Sequence, residues 1–357
     1  MAAKPAERNC LPSARHEVQS GPVRRVLARA GLLRPNLAFL GAAVVGFGIV
    51  TALLALACGA PFVIPGERVS PALGVPPALP LEIGVLGWLA GQLVGWKLRS
   101  RNGSLLLPRI TTDATYIILF VVVIYFHFHI KMWMPLLNAR LYDHAYFQID
   151  QDLRPLIDGL GRVRAAVAGV LPAADLWYQG AQLGLFIGSF WIHGLGDRRW
   201  HHHNMTALLV NLMIGPLAYL LAPAVGPFIF EAGPNRAATD AQQAMYAHFT
   251  DLVAQGPAWL IDHGGQYFTA PLAAMPSLHV SAACIVSYYA LRARSRFAPL
   301  MVLFALWIFI DSIVSRWHYL IDLPPGILVA AVAIAIANRV CGRGFMPRLQ
   351  PAPPRAG

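Results

Sequence analysis

Residues 298–338 read APLMVLFALWIFIDSIVSRWHYLIDLPPGILVAAVAIAIAN, and this stretch decides the fold class. It contains two apolar windows, 298–316 and 319–338, each with about the 20 residues that a helix needs to cross a bilayer. Where the windows meet, the polar string Ser-Arg-Trp-His-Tyr-Leu-Ile-Asp occupies positions 315–322. Ionisable groups at the ends of spans are less costly than at the middle of a bilayer, so their presence at this junction does not by itself indicate a functional site.

The rest of the chain has the composition of a membrane protein. Of its 357 residues, 57% are hydrophobic and 13% are charged, whereas a soluble protein carries about 25% charged residues. The net charge of +11 does not indicate nucleic-acid binding, because the basic residues flank apolar windows instead of forming one face. We therefore predict an all-α fold, a polytopic membrane helix bundle of about eight spans. The apolar windows are 37–59, 81–97, 114–135, 174–194, 205–224, 275–292, 298–316 and 319–338.

The distribution of basic residues predicts the orientation of these spans. If the N-terminus is cytoplasmic, the inner segments hold 20 of the 28 Lys and Arg residues, in agreement with the positive-inside rule. This topology divides the chain into a basic cytoplasmic tail over 1–36, a membrane-embedded domain over 37–340 and a cytoplasmic tail over 341–357. It also puts His279 and His318, at the ends of different spans, on the same outer surface.

His318 and Asp322 are the first candidate catalytic residues. A carboxylate four residues after a histidine lies on the same face of a helix and can fix the tautomer of the ring. Arg316 adds a permanently charged fork suited to phosphate oxygens. Asp311 would share this face if the helix continued through the junction. An isolated His-x3-Asp pair also fits a local contact at a helix end, but its convergence with Arg316 and a second outer histidine favours function.

That second histidine belongs to the string Met-Pro-Ser-Leu-His at positions 275–279, which opens the sixth window. Pro276 favours a helix start, and Ser277 can cap the helix. The free N–H groups and positive end of such a helix can also face an anion. Two imidazoles near their neutral-pH titration range can divide the roles of nucleophile and proton donor, so we expect His279 and His318 to lie within a few ångströms.

The two long segments predicted on the outer side are expected to differ in structure. Residues 136–173 mix apolar and polar side chains, which predicts helices lying at the membrane interface. Residues 225–274 are rich in Gly, Pro and small residues, which predicts a long functional loop. Arg236 is the only basic residue in that loop. It is a candidate phosphate ligand and equally well an ordinary surface charge.

The remaining histidines and the cysteines do not predict a metal or cofactor. Consecutive histidines at 201–203 cannot all point to one centre on a helix, so an interfacial loop is the favoured interpretation. Residues two apart on a helix diverge by about 200°, so at most one of His127 and His129 is expected to face the bundle interior. The four cysteines are scattered and fit neither a metal site nor a disulfide framework.

The two histidine motifs resemble those of the type 2 phosphatidic acid phosphatase superfamily. The match is closest to the branch of inositol phosphorylceramide synthases and related bacterial membrane proteins, which carries Pro-Ser-Leu-His followed by Arg-x-His-Tyr-x-x-Asp. The corresponding residues here are 276–279 and 316–322. The superfamily's first motif, Lys-x6-Arg-Pro, is absent, and Phe228 stands where relatives often have arginine.

The resemblance implies a six-helix catalytic core, with its motifs in 205–340, and a lipid phosphate substrate. By this resemblance His318 attacks phosphorus and forms a phosphohistidine, Asp322 orients it, and His279 protonates the leaving group. Arg316 and the Ser277 region hold the phosphoryl oxygens, and Arg236 is the candidate replacement for the absent first motif. No metal or other cofactor is implied.

These features predict a lipid phosphatase or phosphotransferase at the outer leaflet, with water or an alcohol such as inositol as the acceptor. By resemblance the membrane is the bacterial inner membrane, with the site facing the periplasm. Two alternatives remain open: a lipid transporter or flippase that uses the same polar cavity, and a non-catalytic membrane scaffold of the same fold. Transporters often consist of two related halves, which the sequence does not contain. The intact histidines and aspartate argue against the scaffold.

Overall fold

The computed structural model describes residues 35–66, 78–99, 106–195 and 198–342. These residues form twelve α helices and no β strand, so the predicted all-α fold class is confirmed. Short 3-10 helices lie at Ala174–Leu176, Pro227–Ile229, Gly264–Tyr267 and Leu320–Asp322. The α helices, in chain order, are α1 Pro35–Cys58, α2 Ala78–Arg99, α3 Leu106–Leu137, α4 Asp143–Asp152, α5 Arg154–Ala168, α6 Trp177–Leu195, α7 Arg198–Tyr219, α8 Arg236–Gln255, α9 Pro257–His263, α10 Leu278–Arg292, α11 Ala298–Val314 and α12 Leu323–Val340.

Each of the eight predicted apolar windows coincides with one helix. By length and composition, three segments of the described chain can cross a membrane: Asn36–Cys58, Arg109–Leu137 and Leu320–Val340. These helices fit an integral membrane protein, and the full number of spans stays a prediction. The helices that occupy the eight windows are α1, α2, α3, α6, α7, α10, α11 and α12.

The centre of the bundle is α7, which packs against α1, α3, α6, α10 and α12. Helix α10 packs in turn against α11 and α12, and α11 packs against α6. The core between them is apolar and includes the buried Leu209, Val286, Ile308 and Ala330. Because α3 and α6 take part, the central bundle extends beyond the predicted core of 205–340.

Two glycines allow the close approach that positions the 275–279 motif. A Cβ atom on Gly326 of α12 would lie 2.5 Å from the backbone oxygen of Ser277. A Cβ atom on Gly215 of α7 would lie 2.3 Å from a methyl carbon of Leu278. Since a backbone oxygen cannot move aside as a side chain can, α12 reaches the start of α10 only with glycine at position 326.

The histidine motifs and the basic helix ends lie at opposite ends of the bundle. Helix α10 runs from the 275–279 motif to Arg292, whose guanidinium lies 5.6 Å from the ring centroid of Trp200 at the start of α7. Nearby, Arg198 forms an ion pair with the buried Asp113 of α3 at 2.5 Å. This arrangement agrees with the charge-derived topology, in which these arginines share the inner side.

Several local predictions are wrong for identifiable reasons. The segment 225–274 is not a long loop, because it contains α8 and α9. Its buried positions in α8 are mostly small or polar, including Ala238, Ala241 and Gln242, so the helical pattern has little hydropathic contrast. The tails predicted over 1–36 and 341–357 lie outside the described residues except for 35–36 and 341–342.

The histidine predictions outside the two motifs also fail. His201, His202 and His203 lie on α7 and are all buried, because this central helix has neighbours on several sides. His127 and His129 are both buried as well. The Nδ1 of His127 lies 2.9 Å from the oxygen of Leu212, and the Nε2 of His129 accepts the N–H of Val63 at 2.9 Å. The chain that follows α1 covers what would otherwise be an outer face of α3.

Candidate active site

The structure brings the two histidine motifs together. The rings of His279 and His318 have centroids 5.8 Å apart and are inclined at 76°. His318 is buried, whereas His279 is partly exposed. A phosphoryl group can therefore be approached by both imidazoles, which is the geometry that the sequence predicted for a nucleophile and a proton donor.

His318 lies in a turn between α11 and α12, so the condition under which Asp311 would share its face, a helix that continues through the junction, is not met. Helix α11 ends at Val314, and Arg316 has a left-handed backbone with φ of 58°. The backbone N–H groups of Trp317 and His318 both donate to the oxygen of Ser312 at 3.0 Å. The chain thus folds back on the end of α11, which separates Asp311 from the face that carries His318.

The predicted contact between His318 and Asp322 forms despite this turn. The Nδ1 of His318 lies 3.2 Å from Oδ2 of Asp322, and the same oxygen accepts the backbone N–H of Tyr319 at 2.8 Å. Asp322 is completely buried. Because Nδ1 faces the carboxylate, Nε2 is the nitrogen left for chemistry.

Backbone contacts join this turn to the start of α10. The N–H of Ser277 donates to the backbone oxygen of Asp322 at 3.1 Å. The side chain of Ser277 accepts from the N–H of Val280 at 3.5 Å and is the N-cap of α10, as predicted. The first turn of α10, where N–H groups have no partner within the helix, is consequently held beside the Asp322 turn.

Tyr178 is a site residue that the sequence analysis missed. Its hydroxyl and the Nδ1 of His279 are 2.7 Å apart and share a hydrogen bond. The Tyr178 ring stacks on Trp317, with centroids 6.3 Å apart and planes at 11°. This contact orients His279 and leaves its Nε2 for the substrate. The tyrosine stands at the start of the fourth apolar window, where it resembles an ordinary interfacial aromatic residue.

Two carboxylates of helix α4 hold the motif turn. Asp143 accepts the Tyr319 hydroxyl at 2.8 Å and the backbone N–H groups of Val225 and Gly226, both at 2.9 Å. Asp150 accepts the N–H of Leu320 at 2.9 Å. The helices predicted in 136–173 therefore exist as α4 and α5, and α4 braces the site, while their position at the membrane interface stays a prediction.

Burial raises the pKa of Asp150 to about 6, although the nearby Arg316 guanidinium acts in the opposite direction. An oxygen of Asp150 lies 4.0 Å from Nη1 of Arg316. Other charges, those of Asp322 and Glu231, reinforce the upward shift of the Asp150 pKa. This carboxyl group can therefore change protonation in the mildly acidic range.

Arg316 is buried and its charge is already compensated. Its Nη2 pairs with Glu231, and Arg154 binds both oxygens of Glu231 at 2.8 Å. Arg316 and Arg154 line a cleft of about 480 Å³ that also includes Asp158 and Arg162. The Nη1 of Arg316 has no hydrogen-bond partner among the described residues. One donor of the predicted phosphate ligand thus lacks a hydrogen bond, although the atom itself is buried.

Asp311 has a supporting role beneath the turn. It accepts from Nε of Arg164 at 2.6 Å and from the hydroxyl of Ser315 at 2.7 Å. The side chain of Gln242 in α8 donates to the backbone oxygen of Ser315 at 2.7 Å. These contacts fix the residue immediately before Arg316.

Arg236 is not brought into this arrangement. It is the first residue of α8 and is exposed, without an ion pair or hydrogen bond to the described residues. The preceding Asn235 caps α8 by accepting the N–H of Ala238 at 2.9 Å. The role of Arg236 as a phosphate ligand stays a prediction. Over the described chain, no three His, Cys, Asp or Glu side chains form a group that could hold a metal ion.

A family model described as the PAP2 superfamily matches residues 157–336, slightly more than half of the chain. The chain belongs to the PAP2 superfamily. The matched region contains His279, His318 and Asp322, the residues on which the resemblance to type 2 phosphatidic acid phosphatases was based. Searches of curated proteins and of solved structures gave no significant match. PAP2 membership points to phosphatase-type activity on a phosphate ester.

Proposed function

We propose that this PAP2 protein is an integral membrane lipid phosphatase or phosphotransferase that acts through a phosphohistidine intermediate. The observation that carries the proposal is the contact of His318 with the buried Asp322 while the His279 ring stands 5.8 Å away. A nucleophile, the group that orients it and a second imidazole thus surround one small volume.

In the first half-reaction, Nε2 of His318 attacks the phosphorus of the lipid phosphate. The P–N bond forms as the P–O bond to the lipid breaks, and the leaving oxygen takes the proton from Nε2 of His279. The positive charge that develops on His318 is stabilised by Asp322 at Nδ1. The lipid alcohol leaves with its new proton, and the phosphoryl group remains on His318.

In the second half-reaction, an acceptor hydroxyl attacks the phosphohistidine and breaks the P–N bond. His279, now neutral, takes the proton from that hydroxyl and returns to its starting state. With water as the acceptor the product is inorganic phosphate, and with an alcohol it is a new phosphate ester. An alcohol such as inositol could lie in the cleft beside Arg316, where the carboxylates of Glu231 and Asp158 accept hydrogen bonds from hydroxyl groups.

Binding of the phosphoryl oxygens is proposed to involve Arg316, the helix start at Ser277 and, from the outer surface, Arg236. The N-terminus of α10 supports this because its N–H groups and dipole favour an anion. The proposed location is the bacterial inner membrane, with the site facing the periplasm. Its support is the concentration of basic residues at the opposite end of the bundle.

The test is phosphate release by the purified protein from a panel of glycerolipid, polyprenyl and sphingolipid phosphates, with and without inositol. Wild-type protein should release phosphate and form an acid-labile phosphoprotein, whereas His318→Ala should do neither. His263→Ala, at an exposed histidine of α9, is the matched control and should behave as wild type. Equal phosphate release by His318→Ala would refute the proposed nucleophile. Diversion of the phosphoryl group to inositol would identify a phosphotransferase.

A further inference from the structure

Lys131 of α3 is an ammonium group in a membrane helix, and no described acidic side chain pairs with it. The chain has three lysines, Lys4, Lys97 and Lys131, against 25 arginines. The Nζ of Lys131 lies 5.3 Å from the ring centroid of Tyr219, and it forms no ion pair with the described residues. Ionisable residues inside a membrane usually pair with another group and mark a functional pathway or site.

The tyrosine beneath Lys131 connects it to the start of α10. Tyr219 is buried and belongs to one apolar cluster with Leu278, the residue immediately before His279. Lys131, whose ammonium lies over the Tyr219 ring, is therefore close to the first turn of α10. Its charge also interacts electrostatically with His279, in agreement with this placement.

The balance of charges near His279 favours the binding of an anion. Lys131 brings a positive charge close to His279, and Asp322 is the one carboxylate that contacts either motif histidine within the described chain. The arginines are less available: Glu231 compensates Arg316, and Arg236 is exposed at the start of α8. A phosphoryl group with its negative oxygens would supply the counter-charge that Lys131 lacks.

We propose that Lys131 binds the phosphoryl oxygens of the substrate and stabilises the charge that develops on them during transfer. This proposal rests on the proposed phosphohistidine reaction and adds a residue from α3, outside the region matched by the family model. Lysine can bind phosphate as a point charge, so a single ammonium beside His279 can replace part of the charge of the absent first motif.

The test compares Lys131→Met and Lys131→Arg with Lys97→Met, a control at another lysine of the membrane domain. Each variant is checked for monodisperse elution and thermal unfolding, and then for lipid-phosphate turnover and inhibition by orthovanadate. Removing one preorganised donor to a developing oxyanion lowers the rate roughly 10²–10³-fold. Lys131→Met should lower kcat/KM by about this factor and weaken vanadate inhibition at least tenfold, and Lys131→Arg should recover part of both. Lys97→Met should match wild type.

A second measurement uses wild-type protein and does not depend on turnover. An amine-reactive reagent should label Lys131, and vanadate should protect this lysine while Lys97 labels at an unchanged rate. This measurement still decides the case if Lys131→Met does not fold.

The outcomes separate the two proposals. Wild-type turnover with unchanged vanadate affinity and kcat/KM in folded Lys131→Met would overturn the role of Lys131 and leave the proposed function standing. Labelling of Lys131 that vanadate does not slow, in a protein that vanadate inhibits, would overturn it in the same way. A wild-type protein that neither releases phosphate from the lipid panel nor binds vanadate would overturn both.

Discussion

Replacing Asp322 by asparagine tests the proposed nucleophile at its least replaceable contact. Asp322 is fully buried, and its Oδ2 serves both His318 Nδ1 and the backbone N–H of Tyr319. Asparagine has the same shape and can still accept from Tyr319, so the turn is expected to keep its fold. Asparagine cannot offer a negatively charged acceptor to Nδ1 of His318. If its NH₂ group faced Nδ1 instead, it would favour the tautomer of His318 with the proton on Nε2.

The expected size of the effect follows from these contacts. Breaking a buried charge pair by removing one partner costs about 3–5 kcal/mol, and each 1.4 kcal/mol changes a rate about tenfold. If this loss falls on the imidazolium-like state that forms as His318 attacks, kcat should drop roughly 10²–10⁴-fold. KM should change little, since Asp322 is buried behind His318.

The assay is the initial rate of phosphate release from the best lipid substrate, measured with the yield of acid-labile phosphoprotein. Asp240→Asn, at an exposed position of α8, is the control for the loss of a carboxylate. Thermal unfolding of both variants shows whether the fold is retained. A folded Asp322→Asn protein with kcat within threefold of wild type would refute the reasoning, because His318 would then need no charged partner.

Four further predictions concern other parts of the site. Tyr178→Phe should lower kcat by about tenfold while the protein remains folded, because His279 loses its hydrogen bond; a wild-type rate in the same assay would contradict this. Gly326→Ala should lower the free energy of unfolding by about 1–3 kcal/mol through overpacking against Ser277, whereas Gly41→Ala, with open space around it, should not, as measured by denaturation. The pKa of Asp150 is raised to about 6 in the folded protein, so stability should fall as pH rises from about 4 to 6, and Asp150→Asn should flatten this pH dependence of Tm. Phosphate release should persist after treatment with EDTA and dialysis, and loss of activity that a divalent ion restores would contradict the metal-free reaction.

The parts of the fold that the sequence predicted correctly depend on long apolar windows. All eight windows contain a helix, because about 20 consecutive apolar residues leave few other stable conformations in a membrane. The helix α8 was missed because its buried face includes Ala238, Ala241 and Gln242, which give little hydropathic contrast. The burial of His201 was missed for a related reason, since hydropathy does not show that α7 is surrounded by other helices.

The candidate site was predictable where its residues are close in sequence. Pairing of His318 with Asp322 was correct even though the junction is a turn, because four residues of separation allow contact in either conformation. Tyr178 contacts His279 across 101 residues, and the ammonium of Lys131 on α3 lies over the ring of Tyr219 on α7. Such contacts depend on how helices pack, which a single sequence does not reveal. Arg316 was assigned correctly to the junction of the last two windows, but its pairing with Glu231 required the fold.

The site divides between the family region and the chain before it. His279, His318 and Asp322 lie within residues 157–336, and their geometry is what the proposed chemistry requires of any substrate. Asp143, which holds Tyr319, and Lys131 both precede residue 157. The proposed reacting groups are therefore built from the matched region, while the Asp143 brace and the proposed Lys131 cation come from outside it. If the proposed function holds, exchanging residues 106–152 between members of the superfamily should change which lipid phosphate is preferred more than it changes the proposed phosphohistidine chemistry, because the proposed nucleophile and its carboxylate stay on one turn.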